Sequence, residues 1–512
     1  MALAIIQQPV QTAGGTDQVP VLTNYTPSVG YMIYQDQSIA SLFYYKIVLE
    51  IRETDATGTL LGIIKQRRNG YATDVTNDKA RAFFDLKELI NSQLIPTTYD
   101  QNQTTAPFVT IHKVGFNGDQ KSFSYSGDAL LGKSQLLPVY VKAYENYSSS
   151  ANAMPSDDTS EAVDNTLWWL KASMPVTTAR EPIAGSTPEY IQGSVFSAYR
   201  GSWYTNKFLS DVKSIKVNSY RDVDMGSASK HINFIRENDW HTVAFLNNHA
   251  SFWSNIKHIE VAYYDEDDNN LSVTYFDNEP SKGGVLPTGT ITKFNALLYF
   301  GCGTANLENQ GFSANARPSH AGNSGWKYYT IRGSSGDDDT ENPIGGHDGY
   351  PLDPEFYETT RYYFVKDTSG GCKYPIRRLA WFNSKGGYDY FNFMMKSTQT
   401  LDITRDNYET LVGNFGGDYY SYNNTSRGKV TRKTGAILRE TLETDWILEK
   451  EGEFLESLFT SIRVDIVEND DTDYTESVII KNTSFTRKTI VNDKFIQYQV
   501  EIEYAIPRNT NS

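Results

Sequence analysis

Ile259-Glu260-Val261-Ala262-Tyr263-Tyr264, Asp265-Glu266-Asp267-Asp268-Asn269-Asn270 and Leu271-Ser272-Val273-Thr274-Tyr275-Phe276 follow one another without a gap. In the two outer segments apolar and polar side chains alternate with a period near two, and β-branched and aromatic residues dominate, as a half-buried strand requires. The six residues between them are all acids or amides, which solvate a turn. The stretch therefore predicts an antiparallel hairpin.

The same pattern recurs outward in both directions. Towards the N-terminus, Phe43 to Ile51, the turn Asp55-Ala56-Thr57-Gly58 and Thr59 to Ile64 form a second hairpin signature, with further strands around Phe108 to Val114 and at Val139 to Tyr144. Ser148 to Asp158, rich in Ser, Asn, Pro and Asp, has the composition of a linker. Towards the C-terminus, Tyr374 to Asn383, a Gly386-Gly387 turn and Tyr388 to Lys396 precede strands at Ile462 to Val467, Ser477 to Ile480 and Phe495 to Tyr504. Helical spacing is rare. It appears at Leu86, Leu89 and Ile90 behind a capping Asp85, and over Glu449 to Thr460, where Phe454, Leu455, Leu458 and Phe459 share a face.

The fold class expected is mainly β: several antiparallel β-sandwich-like domains with one or two short helices and long loops. The boundaries expected are an extended N-terminal arm over 1–40, a β-sandwich of immunoglobulin or fibronectin-III type over 41–155, a β-rich middle domain with long loops over 165–367, and a β-rich C-terminal domain with one covering helix over 369–512. The arm is set apart by its charge, because Asp17 and Asp36 are the only charged residues before Lys46. It is suited to lying on a neighbour, or else is a disordered tail ahead of an ordinary first strand.

The chain has 512 residues, 47 Lys and Arg against 62 Asp and Glu, and a net charge of −15. Phosphate neutralisation needs clustered cations, so neither direct nucleic-acid binding nor adhesion to an anionic membrane is expected. No apolar run approaches the roughly 20 residues that span a bilayer, and Met1 to Gln8 lacks the basic start of a secretory signal. A soluble chain is the expectation. Cys302 and Cys372 are too few for a disulfide framework or a structural zinc site, and are expected as buried thiols. The acid is uneven: 13 acidic residues fall between Glu440 and Glu476, against Lys450 and Arg463, which suits a solvent-facing surface or a basic neighbour.

Several motifs carry possible chemistry. Gly127-Asp128-Ala129-Leu130-Leu131-Gly132-Lys133-Ser134 matches the phosphate-cradling loop G-x-x-x-x-G-K-[ST]. That loop needs a buried strand before it and a helix after it; here Lys121 to Ser126 is half polar and Pro138 follows closely, so a β-sandwich loop is expected. His231, His241, His249 and His258 are separated by 10, 8 and 9 residues, which fits no zinc spacing. Asp265 to Asn270 lacks the glycine and closing Glu of an EF-hand loop. There is no G-x-S-x-G elbow. Carboxylates are plentiful, which leaves a glycosidase pair open, since their separation is a structural quantity. No catalytic, cofactor-binding or metal-ligating residue is therefore assigned, and no cofactor is expected.

Arg378-Leu379-Ala380-Trp381-Phe382-Asn383-Ser384-Lys385-Gly386-Gly387-Tyr388-Asp389-Tyr390-Phe391-Asn392-Phe393, then Thr444-Asp445-Trp446-Ile447, Thr483 to Thr489 and Asn492 to Tyr498 resemble a family of virion structural proteins of tailed bacteriophages. The resemblance is closest over the C-terminal third. It implies a non-enzymatic virion subunit, such as a tail or neck ring, adaptor or baseplate-like component, assembled in the host bacterial cytoplasm. Its implied partners are other copies of itself in a symmetric ring or assembly and other virion proteins of tail, neck or capsid. A head decoration or fibre protein is the alternative of the same class; a tail protein that binds or cleaves host surface glycans is the alternative of another class. The family contributes no catalytic residues.

Overall fold

Alternation of apolar and polar residues becomes strand pairing over most of the described chain. The computed structural model describes residues 3–7, 21–24, 30–35, 39–67, 80–96, 111–113, 135–173, 208–215, 219–220, 223–224, 230–246, 258–277, 297–308, 316–334, 361–367, 375–414, 416–425, 427–467, 475–486 and 495–507. The fold is mainly β, with several largely antiparallel sheets. Among the described residues three short α-helices occur, at Lys87–Gln93, Thr304–Glu308 and Glu449–Phe459. The chain divides into two compact units, residues 1–367 with 383–389 and residues 368–382 with 390–512. The segments expected as separate domains over 41–155 and 165–367 thus fall in one unit.

In the first unit a five-stranded sheet runs in the order Val21–Asn24, Ser156–Ser173, Leu136–Ser148, Phe43–Glu53, Leu60–Arg67. A three-stranded sheet of Leu3–Gln7, Gly30–Gln35 and Ala80–Asp85 packs against it. Tyr31, Ile33 and Phe84 from one sheet and Ile47, Leu49 and Ile51 from the other are fully buried. This corrects the picture of residues 1–40 as an arm: its described strands pair within the chain, because Leu3, Tyr31 and Ile33 supply core side chains that charge-free flanks do not keep in water. Ser148 to Asp158 is also not a linker. It turns a long hairpin, with Tyr147 opposite Ser156. Of the strand expected around Phe108 to Val114, the described residues Ile111–Lys113 form a 3-10 turn. The N-cap of the first helix is Leu86, without a side-chain cap; Asp85 stands one residue earlier and accepts from the Lys87 N–H at 2.9 Å, and Leu86, Ile90 and Leu94 bury one side of the helix.

The hairpin at 259–276 forms as the sequence predicts, with strands His258–Tyr264 and Asn270–Asp277. It is the edge of a six-stranded sheet that continues through Tyr328–Ser334, Tyr362–Lys366, Lys230–Ile235 and Ser214–Ile215. Tyr263, Tyr329 and Phe364 stand directly opposite one another on three adjacent strands. Their rings meet at 5.2 and 5.0 Å, and His241 stands edge-on to Phe364 at 4.9 Å. Much of the tyrosine in this unit therefore builds core, as aromatic cross-strand rows do. Two strand pairs are parallel, Lys230–Ile235 with Tyr362–Lys366 and Val21–Asn24 with Ser156–Ser173, departing from an all-antiparallel pattern.

The second unit is a seven-stranded sheet in the order Tyr388–Phe393, Arg377–Phe382, Val464–Val467, Thr475–Ile480, Gln499–Tyr504, Lys429–Glu443, Thr398–Glu409. The helix Glu449–Phe459 buries Phe454, Leu455 and Leu458. Trp381 lies 5.1 Å from Phe454 ring to ring and donates its indole N–H to Ser457 Oγ at 2.9 Å. Glu451 accepts the Leu448 N–H at 2.9 Å, closing the helix start. The strand expected over Phe495 to Tyr504 is broken: Phe495–Ile496 pairs with Ile447–Leu448, and only Gln499–Tyr504 joins the sheet.

Candidate functional site: a two-stranded ribbon

Thr398–Glu409 pairs along its whole length with Lys429–Glu443, from Thr398 opposite Thr441 to Glu409 opposite Lys429. Gln499–Tyr504 accompanies Lys429–Glu443 only from Arg439 to Glu443. Outward from the pair Leu401 and Leu438, the two strands have no further strand partner among the described residues, which leaves a ribbon roughly 30 Å long at about 3.4 Å per residue.

The root of this ribbon is clamped on both faces. On one face the Glu440 carboxylate is fully buried and accepts from Arg377 Nε at 3.2 Å, Gln399 Nε2 at 3.2 Å and the Tyr504 hydroxyl at 2.6 Å. Burial, and after it the bond to Glu440, pushes the Tyr504 phenol well above its ordinary range. On the other face Arg439 bridges Asp402 at 2.8 Å and Glu503 at 3.1 Å, and Lys481 adds a second contact to Glu503 at 3.3 Å. Hydrogen bonds from Arg439 and Lys481 hold the Glu503 carboxyl below the usual range against its partial desolvation.

Beyond the root the support stops while the apolar face continues. Leu442 and Leu438 are buried on the Glu440 face, and the next residues on that face, Leu401 and Ile403, are each 47% exposed. At the tip, Leu411, Tyr419, Tyr420 and Tyr422 are exposed, Tyr419 by 86%. The tip nevertheless has defined local geometry. Asn414 and Ser421 form a bridge, the Tyr420 hydroxyl donates to Val412 O at 2.7 Å, and Gly413 sits at φ +114° with the Tyr420 ring against it, where a Cβ would stand 2.5 Å from the ring. Two strands alone are marginal in water. The ribbon thus exposes a run of apolar and tyrosine side chains from Leu401 to its tip.

The residues weighed in the sequence are scattered. His231 stacks on Tyr362 at 5.0 Å, with Nδ1 3.1 Å from Val212 O; His241 is buried against Phe364. Asp265 has its oxygens taken by the Asp267 and Asn269 N–H groups and the Asn269 amide at 2.9–3.0 Å, and Asp268 accepts from the Tyr328 hydroxyl. Cys302 is buried, and its carbonyl accepts from the Tyr329 hydroxyl at 2.7 Å. Gly127 to Ser134, His249, Cys372 and the run Glu468 to Asp473 lie outside the described residues, and His258 is described by its backbone only. Among the described residues no group of three His, Cys, Asp or Glu is placed to hold a metal ion. The acidic stretch is not uniformly a solvent face: Glu440, Glu451 and Asp465 are buried, Asp465 against Arg463 at 3.1 Å and Ser477 at 2.6 Å.

A second acid-rich arrangement lies in the first unit. Asp389 is buried and accepts from Ser210 Oγ at 2.5 Å and the Asp211 N–H at 2.8 Å, while Asp211 accepts from the Ser384 N–H and hydroxyl at 2.8 and 2.7 Å. Burial and then the neighbouring Asp211 charge push the Asp389 carboxyl up to about 7, against the pull of Ser210, the Asp211 N–H and Lys385. Lys385 donates to Ser210 O. These bonds hold the 208–212 segment against the 383–389 turn.

No model of a known protein family matches the chain, and neither does any curated protein sequence.

Proposed function

We propose that this protein is a non-enzymatic structural subunit of a tailed-phage virion, a ring, adaptor or baseplate-like component of tail or neck that works through protein–protein contacts. The observation that carries this reading is the ribbon: clamped at Glu440 and Arg439, bare from Leu401 outward, and ending in Tyr419, Tyr420 and Tyr422. Its partners on this reading are other copies of the chain and neighbouring virion proteins, since tyrosines over apolar positions are what buried interface centres are made of. Further support comes from the sequence resemblance over Arg378 to Phe393 and Thr444 to Ile447.

Peptide mass spectrometry and imaging of purified virions test the proposal. The expected result is this chain at fixed stoichiometry in a symmetric layer of the tail or neck. Virions that lack it would refute the structural role; its presence on the head or in a fibre would refute the location alone.

A further inference from the structure

The start of Phe43–Glu53 departs from ordinary strand geometry. Tyr44 has φ +58°, the left-handed region that bulky side chains avoid, and pairing with Leu136–Ser148 is irregular between Phe43 and Lys46. The Tyr44 hydroxyl donates to Ala151 O at 2.8 Å, so the strained residue is tied to the 149–155 turn. Between that turn and the strand lies an open recess of about 850 Å³, whose lining includes Leu42, Tyr44, Lys46, Arg67, Asn152 and Met154. This is within the size range of ligand sites, and strain of this kind collects at such sites.

Charge gives the recess its chemistry. Arg67, Lys46, Asn146 and Asp157 form one row across four strands. The acid of that row is already used, by Asn146 Nδ2 at 2.6 Å and Lys65 Nζ at 3.2 Å. Lys46 and Arg67 are left directly opposite each other, two like charges with no ion pair or hydrogen bond among the described residues. Like charges in that register repel. Two cations kept side by side in a recess, in a chain of net charge −15, call for an oxyanion from outside, and the Arg fork suits a carboxylate.

The rest of the lining selects the kind of carboxylate. The Tyr45 hydroxyl is committed to Glu145 and that of Tyr44 to Ala151 O, so Asn152 is the one further polar side chain for a ligand's hydroxyls. Leu42, Tyr44, Met154 and Pro155 are apolar wall, Met154 being 93% exposed. That is poor provision for a carbohydrate and good provision for an acidic side chain beside an aromatic or aliphatic one. We infer that this recess binds an acidic peptide segment, with Lys46 and Arg67 holding its carboxylates and Tyr44, Leu42 and Met154 holding an adjacent apolar residue. The inference is independent of the ribbon and of virion membership.

Calorimetric titration of the full chain tests it, with a synthetic peptide of the sequence of residues 468–476, which places four Asp and Glu before Tyr474 and Glu476 after it. The expected result is binding that weakens with added salt and by about tenfold or more in Lys46→Ala and in Arg67→Ala. Both variants should melt at or above the wild-type temperature, because each relieves a repulsion. Unchanged peptide affinity in the variants, equal binding of the peptide with its acids changed to Asn and Gln, or no binding at all would overturn the inference. So would glucuronate or inorganic phosphate binding as tightly as the peptide, which would make this a carbohydrate or simple-anion site, or a lowered melting temperature in both variants, which would make the pair structural.

Discussion

The root and the outer reach of the ribbon are built from the same two strands and have opposite characters. At the root, every strong side chain is spent within the chain: Arg377, Gln399 and Tyr504 on Glu440, and Asp402 and Glu503 on Arg439. Farther out, Leu401 and Ile403 continue the buried face of the sheet into water, and the tip tyrosines cover little of their own chain. The difference separates what folds the ribbon from what the proposed assembly would use. Substitutions at the root should cost stability, and substitutions in the reach should cost association.

The largest effect is expected at Glu440. Glu440→Ala leaves the Tyr504 hydroxyl facing a buried site without its acceptor and removes one partner of Arg377, and should lower the stability of the second unit by about 3–5 kcal/mol in urea unfolding. A loss near zero would break the contrast at its strong end. Asp389 sharpens it as a buried acid whose hydrogen bonds come from Ser210 and the Asp211 N–H. Its carboxyl is raised, so the native state keeps a proton that the unfolded chain releases above about pH 4. Its contribution to stability is complete below that pH and is lost as pH rises through about 7, by up to about 4 kcal/mol. Asp389→Asn should flatten that slope between about pH 4 and about pH 7, and an unchanged slope would assign it to other groups. The smallest effect on folding is expected in the reach, where Leu401→Thr and Ile403→Thr should stay within about 0.5 kcal/mol of wild type while weakening self-association or virion incorporation. A root-sized loss of stability there would show that the chain itself covers this face.

What the sequence made legible follows the same division. The hairpin at Ile259 to Phe276 and the helix at Glu449 were readable because one periodicity ran unbroken and ended in turn or cap residues. The ribbon was not. Its alternation is too short to stand out: Leu401 and Ile403, set between Thr400, Asp402 and Thr404, are the only apolar pair before Arg405, Asp406 and Asn407 end the period. Ser148 to Asp158 looked like a linker because a polar hairpin turn and a linker have one composition, and only the pairing of Tyr147 with Ser156 tells them apart. The strands within 1–40 were hidden because low charge describes a buried strand as well as a borrowed one. The opposition of Lys46 and Arg67 depends on register across the turn at Asp55, a length of loop that local patterns do not convert into partners.

Sedimentation velocity on the full chain and on a variant in which residues 411–427 are replaced by a short Asn-Gly turn is the most direct test of the ribbon as the assembly element. Wild type should form a discrete oligomer whose mass is a multiple of 57.8 kDa, and the shortened variant should remain a folded monomer with unchanged urea unfolding. Identical oligomers from both, or a monomeric wild type at concentrations where virion assembly proceeds, would contradict the account.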